Sequence, residues 1–440
     1  MFPPARFNKS IVLVLILLSL IHVEGCTRRN KRKSHDCSGS AARAPDYGYS
    51  NIFDVLAYGA KADGFTDDSK AFLAAWQAAC RVESAVVEVP AEFRFLVNPI
   101  VFMGPCKENI IFQIDGTIVA PMKPWMRSSG LLDWIQFKRV QGATIQGNGL
   151  IDGRGSVWWG SPDYQLTRKH TKPMPAIKPT ALRFYGSYNV TVRDITIQNS
   201  PQCHLKFDSC SSVDVSNVTI SSPANSPNTD GIHLQNSQDV EIHHSTIGCG
   251  DDCVSIQTGC RDIRAHHINC GPGHGISIGS LGKDKTKACV SNVTVHDVSI
   301  QDALFGVRIK TWQGGSGFVR GVSFGNIEVW NVKIPIMIDQ FYCDKRVCRN
   351  QTSGVAISNI SFIEIRGTYA YKAVHLACSD TMPCTDIDLS DIELQAVARV
   401  QNPFCWNTYG QSQAPTLPPL SCLQSGRPYN KAPLHTQDKC

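Results

Sequence analysis

The sequence predicts an all-β protein, a right-handed parallel β-helix with a short N-terminal capping helix. Three observations predict it. Val/Ile/Thr clusters recur from near Val190, Val213, Val240, Ile263, Val293, Val322, Ile357 and Ile387, at spacings of 23 to 35 residues. Local texture recurs with them: NVTVRDITIQNS at Asn189, NVTISS at Asn217, NVTVHDVSIQDA at Asn292 and ISNISFIEI at Ile357. The patterning has period two with Asn, Ser and Gly at the corners. This excludes helical repeats and fits rungs stacked around an aliphatic interior. An antiparallel sandwich is the competing architecture.

Taken in order, residues 1–25 read as a signal peptide. Arg6 and Lys9 precede an apolar run from Ile11 to Leu20, too short to span a bilayer, and small or polar residues surround Gly25. An uncleaved anchor is the alternative. Residues 26–50 form a basic, polar segment. Arg28, Arg29, Lys31, Arg32 and Lys33 supply five of the six net positive charges, and the chain from Ser34 onward is formally neutral. A neutral body is not the footprint of a nucleic-acid-binding domain. With 42% hydrophobic and 18% charged residues, the 440-residue chain is not disordered either. Residues 51–410 form the β-helix. Within them, Thr66–Cys80 carries a helical pattern: Phe72, Trp76 and Cys80 fall four apart, and Thr66, Asp67 and Asp68 suit its start. This helix caps the open N-terminal end, as solenoids require. Residues 411–440 read as an irregular, Pro-rich tail pinned by Cys422 and Cys440.

Eighteen cysteines fit an oxidising compartment. The short loops Cys343–Cys348, Cys378–Cys384 and Cys405–Cys422 read as local staples. Sequons at Asn189, Asn217, Asn292, Asn350 and Asn359 are candidate N-glycosylation sites and support secretion.

Four polar motifs lie about one rung apart: Asn228-Thr229-Asp230, Gly250-Asp251-Asp252, Gly273-His274-Gly275 and Arg308-Ile309-Lys310. A full turn later the chain returns to the same side, so the four stack into one stripe. Neighbouring carboxylates raise the pKa of at least one member, the condition glycoside hydrolysis needs. A polar turn row and a calcium site are the alternatives. Arg308 and Lys310 argue against calcium. Two apart in a strand, they point the same way and suit an anionic substrate.

In this order the four motifs resemble the signature blocks of polygalacturonases of the plant type, pectin-cleaving glycoside hydrolases. GPGHGISIGSLG from Gly271, GVRIKTWQGG from Gly306 and FDVLAYGAKADGFTDDSKAF from Phe53 extend the resemblance, which runs from about Asn51 to Pro403. It implies hydrolysis of α-1,4-linked galacturonic acid in pectin with inversion, secretion to the cell wall, and no metal or cofactor. Partners beyond the polysaccharide are not expected: no nucleic acid, no membrane after signal cleavage, and a monomer. By the same resemblance Asp251 is the general acid, and as a neutral donor among carboxylates it is expected to titrate high. Asp230 and Asp252 activate water, and His274 tunes the acid. Asn228, Arg308, Lys310 and Tyr342 bind substrate, and Cys253 pairs with Cys270. Stacking one rung apart suggests a short carboxylate separation, which the general distance rule reads as retaining. Inversion is preferred because three carboxylates can hold a water between them. The rivals are a calcium-dependent pectate lyase and a non-catalytic wall-binding solenoid.

Overall fold

Alternation builds each rung. In the strand Tyr188–Arg193, Val190 and Val192 are buried while Tyr188 and Arg193 are exposed. Val190 pairs in parallel with Val213, and the column continues through Val240, Ile263, Val293 and Val322. Each fully buried Val or Ile contributes about 1.5–3 kcal/mol, so the column is a principal source of stability. Val322 next pairs with Ile360, and Ile360 with Ile387. The expected rung start at Ile357 is therefore displaced: Ile357 pairs with Val319, one inward position earlier.

The computed structural model describes residues 51–125, 133–160, 178–344, 347–397 and 399–426, together with Pro428. The expected signal peptide, the Arg28–Lys33 run and Cys440 lie outside the described residues. Among those described, strands assemble into an eleven-stranded sheet and a twenty-stranded assembly. All the pairings are parallel, as the right-handed β-helix requires. Early rungs place two short strands in the larger assembly. From Arg261–Cys270 onward the two merge, that strand pairing with both Gln238–His243 and Thr246–Gly248. No described helix is long and apolar enough to cross a membrane.

Corners explain the Asn and Asp content. Asn189, Ser212, Asp239, Asp262, Asn292 and Asn359 are all left-handed, with φ between 52° and 57°. Short polar side chains tolerate that region better than other L-residues. A second left-handed set follows the in-register residues Arg193, Ser216, His243, His266 and His296, and comprises Asp194, Asn217, His244, His267 and Asp297. All five sequon asparagines are exposed.

The capping helix spans Ser69–Ala79, not Thr66–Cys80. Thr66 and Asp67 belong to the strand Asp63–Asp67, where Asp63 accepts hydrogen bonds from the Thr66 amide and hydroxyl. Asp68 stands at the helix start, but its carboxylate accepts from the amides of Lys61 and Ala62 rather than capping the helix. Phe72 and Trp76 plug the end of the solenoid against Phe95, Phe102 and Phe137. A second short helix, Ser156–Trp159, was not expected. At the other end, the strand Thr408–Leu417 pairs with Cys384–Ala396 and crosses the expected boundary at 410. Pro415 is tolerated there because the strand is at the edge.

Disulfides join Cys343–Cys348, Cys378–Cys384 and Cys405–Cys422, as the loop lengths suggest, and also Cys253–Cys270. Cys80–Cys106, tying the end of the capping helix to the first rungs, was not anticipated.

Candidate active site

The first three motifs meet because the strands that follow them are in register, and the fourth lies within the next strand of that register, Arg308 pairing with Ser277. Ile232 pairs with Val254, Val254 with Ile276, and Ile276 with Val307. Asp230, Asp252 and His274 each stand two residues before such a partner, and therefore stack. Two glycines let the turns pack. A Cβ on Gly250 would lie 1.9 Å from the Ser226 carbonyl oxygen, and one on Gly275, at φ +73°, would lie 2.1 Å from that of Gly306.

Asp252 is clamped. Its side chain is 2% exposed. One oxygen accepts from Arg308 at 2.7 Å and from the Ser277 hydroxyl at 2.8 Å; the other accepts from Lys310 at 2.9 Å. Arg308 also donates to Ser277 at 3.0 Å, and its guanidinium lies 3.9 Å from the centre of the Phe305 ring. Both cations thus point the same way, as their spacing in the strand predicts. They are themselves buried, and Asp252 is a first partner the sequence reading did not give them.

Asp251 fronts this clamp. It accepts from Asn228 at 3.1 Å, lies 3.0 Å from His274 Nδ1, and takes the Asp252 amide at 2.9 Å. Burial pushes its carboxyl up, but the His274 hydrogen bond and the charges of His274, Lys310 and Arg308 outweigh it, and the pKa falls to about 2. This reverses the expectation of a high-titrating Asp251 in the free protein. The raised carboxyl is that of Asp230, pushed up by burial and by Asp251 and Asp252, against the opposing His233 at 3.0 Å.

Asp230 is held from behind by His204. The buried imidazole meets the Asp230 carbonyl oxygen at 2.9 Å and the Ser222 hydroxyl at 2.7 Å, and burial lowers its pKa to about 4. Tyr342 stands at the rim: Lys310 Nζ is 5.5 Å from its ring centre, and Trp312 packs edge-on against it at 5.4 Å. The Trp312 indole nitrogen is buried without a hydrogen-bond partner among the described residues.

The structure therefore gathers Asn228, Asp230, Asp251, Asp252, His274, Arg308, Lys310 and Tyr342 into one place. Sequence reasoning missed Ser277, His233, His204, Phe305 and Trp312. Ser277 and Trp312 lie inside the quoted blocks GPGHGISIGSLG and GVRIKTWQGG. His204 carries no sequence signal, because its role is a contact to a backbone carbonyl. Asp251, Asp252 and His274 lie close enough to share an ion, as do Cys203, Asp230 and His233. Both Asp252 oxygens are already taken by cations, however, and burial pushes the Cys203 thiol well above its ordinary range. With Asp252 already engaged by Arg308 and Lys310, the first set is a poor metal site.

The family model described as glycosyl hydrolases family 28 matches residues 80–411. A probable polygalacturonase of Arabidopsis thaliana is 43% identical over 374 residues, covering 83% of each chain. Polygalacturonase-2 of Solanum lycopersicum is 44% identical over 347 residues, 78% of this chain and 75% of its own length. Among solved structures, the endo-xylogalacturonan hydrolase of Aspergillus tubingensis superposes with a TM-score of 0.69 at 21% identity, covering 83% of this chain and 99% of that one. Endopolygalacturonase I of Stereum purpureum, solved with two galacturonates, gives 0.59 at 21% identity, covering 76% and 96%.

Proposed function

The chain belongs to glycosyl hydrolases family 28, and from that premise we propose that it is a secreted, monomeric polygalacturonase. It hydrolyses α-1,4 bonds between galacturonic acid residues of cell-wall pectin, with inversion. The observation that carries the reading is the buried Arg308–Lys310 pair beside the Asp251–His274 pair: anion-binding cations within reach of a proton-exchanging carboxyl.

In this mechanism Asp251 protonates the glycosidic oxygen. It is ionised in the free protein, so it must first gain a proton, and the substrate supplies the reason. A uronate carboxylate lodged by Lys310 and Arg308 opposes two of the charges that hold Asp251 down, and its proton affinity rises. Asp230, its carboxyl raised, takes the proton of the attacking water, while Asp252, held by Arg308 and Lys310, helps fix that water's position. Water adds at the anomeric carbon opposite the departing oxygen, Asp251 loses its proton to that oxygen, and His274 helps Asp251 recover one. Asn228 fixes the Asp251 carboxylate, and Tyr342 offers a face to the sugar.

Proton NMR during early turnover of polygalacturonate tests the proposal. The β-anomer of the new reducing end should appear first. Initial release of the α-anomer would overturn inversion, and unsaturated products absorbing in the ultraviolet would overturn hydrolysis altogether.

A further inference from the structure

Two His-His pairs stand one rung apart on the outside of the larger sheet assembly, away from the strands that carry the site. His243 and His266 are in register, and their rings stack with centroids 5.3 Å apart. Behind them, in the left-handed corner column, the rings of His244 and His267 stack at 4.7 Å. The left-handed turn swings each second histidine back toward the first. His243 Nδ1 lies 2.7 Å from His244 Nδ1, and His266 Nδ1 lies 2.8 Å from His267 Nδ1.

The far side of each inner ring is fixed. His243 Nε2 donates to Asp214 at 3.0 Å, and His266 Nε2 donates to Glu241 at 3.0 Å. A proton held on Nε2 by a carboxylate leaves Nδ1 with a free lone pair, the arrangement by which metal-ligating histidines are oriented. Two imidazole nitrogens bound to one ion at about 2.1 Å lie roughly 3 Å apart. The observed pairs need open only slightly. Without metal, one nitrogen of each pair donates its proton to the other. A dication takes that proton's place, and the outer ring carries its own proton on Nε2 instead.

We infer that the His243–His244 and His266–His267 pairs form an exterior chelating site for a borderline transition-metal dication, of the Cu²⁺, Ni²⁺ or Zn²⁺ class. The pairs are one rung apart, about 4.8 Å, so two dications would repel, and one ion per ladder is the expected occupancy. Imidazole donors without oxygen ligands of their own favour this class over Ca²⁺ and Mg²⁺. The next rung breaks the pattern. His296 stacks on His266 at 5.0 Å, but its Nδ1 meets the Asp297 carboxylate at 2.7 Å instead of a second histidine.

Asparagine occupies the same corner column at Asn217 and Asn326, so His244→Asn with His267→Asn removes one ligand from each pair while keeping a residue the turn accepts. The experiment is isothermal titration of the full-length protein, purified without a polyhistidine tag, with Cu²⁺, Ni²⁺, Zn²⁺ and Mg²⁺. The parent should bind close to one equivalent, Cu²⁺ most tightly and Mg²⁺ not at all. The double variant should lose about tenfold or more in affinity, and the nitrogen couplings in the Cu²⁺ electron paramagnetic resonance spectrum should change. Hydrolysis of polygalacturonate should be unaffected. If the double variant folds poorly, Asp214→Asn with Glu241→Gln, which leaves every ligand in place but releases the tautomers, should weaken binding about tenfold. No binding by the parent, or undiminished binding by both variants, overturns the inference.

Discussion

On the exterior of the larger sheet assembly, Asn217 donates to Asp194 at 2.9 Å, Asn292 to Asp262 at 2.6 Å, and Asn326 to Asp297 at 2.5 Å. Each of these three corner carboxylates meets an amide from the next rung. At the edge of the eleven-stranded sheet, Asp230, Asp251 and Asp252 meet one another. Residue types and spacing are alike in the two regions. The exposed ladder lets water and amides satisfy each charge, and Asp297 is held below its ordinary range chiefly by Asn326. In the buried stack, burial pushes Asp230 up while His274 and the cations pull Asp251 down. Position on the solenoid, rather than the Asp-rich corner itself, separates structural carboxylates from reactive ones.

The sharpest break is Asp251→Asn set against Asp262→Asn. The first should cost about two orders of magnitude or more in turnover, and at neutral pH it should also melt lower than the parent, because the depressed Asp251 carboxylate stabilises the fold. The second should change turnover by no more than about twofold. Reducing-end assays on polygalacturonate decide. Equal effects would erase the distinction between the regions.

Lys310→Met comes next. It leaves Asp252 with Arg308 and Ser277, so the loss should be on the order of 2 kcal/mol, below that for a buried ion stripped of its sole partner. Denaturant unfolding reads this. Cleavage of free-acid pectate should also suffer more than cleavage of methyl-esterified pectin.

Asp230→Asn should trade activity for stability. A carboxyl raised on folding binds its proton more tightly in the native state, so stability falls as pH rises from the unfolded value, 3.8, through the folded one. At neutral pH the variant should therefore melt higher than the parent, and at pH 3 the gap should close. Asp251 has the opposite sign: its contribution is present above 3.8 and is lost as pH falls toward about 2. Smallest is Asn292→Ala. It should cost about 1–2 kcal/mol, one hydrogen bond plus the strain of a left-handed alanine, with turnover unchanged.

The rungs and the stripe were legible because both are periodic: inward Val and Ile repeat with the turn, and the four polar motifs repeat with them. What was not legible depends on contacts rather than period. The Thr66–Cys80 pattern overran the helix because Asp63 recruits Thr66 into a strand, which the helical spacing of Phe72 and Trp76 does not reveal. The strand past residue 410 hid behind Pro415, since only an edge position tolerates it. A stack of carboxylates announced that some pKa is raised. Which one depends on His274 lying within 3.0 Å of Asp251 and on both cations turning toward Asp252.

The columns keep their register while the path between them changes length. Val190 and Val213 are 23 residues apart, whereas Val322 and Ile360 are 38 apart, and the longer path holds the Cys343–Cys348 loop beside Tyr342. Doubling a loop costs only about 0.6 kcal/mol in closure entropy. The rim is therefore a graft site. The segment between Asp339 and Val355 can be exchanged for a shorter or differently decorated one while the carboxylates below stay where the strands put them. A scaffold of this kind lets what the cleft admits diverge independently of the chemistry at its floor.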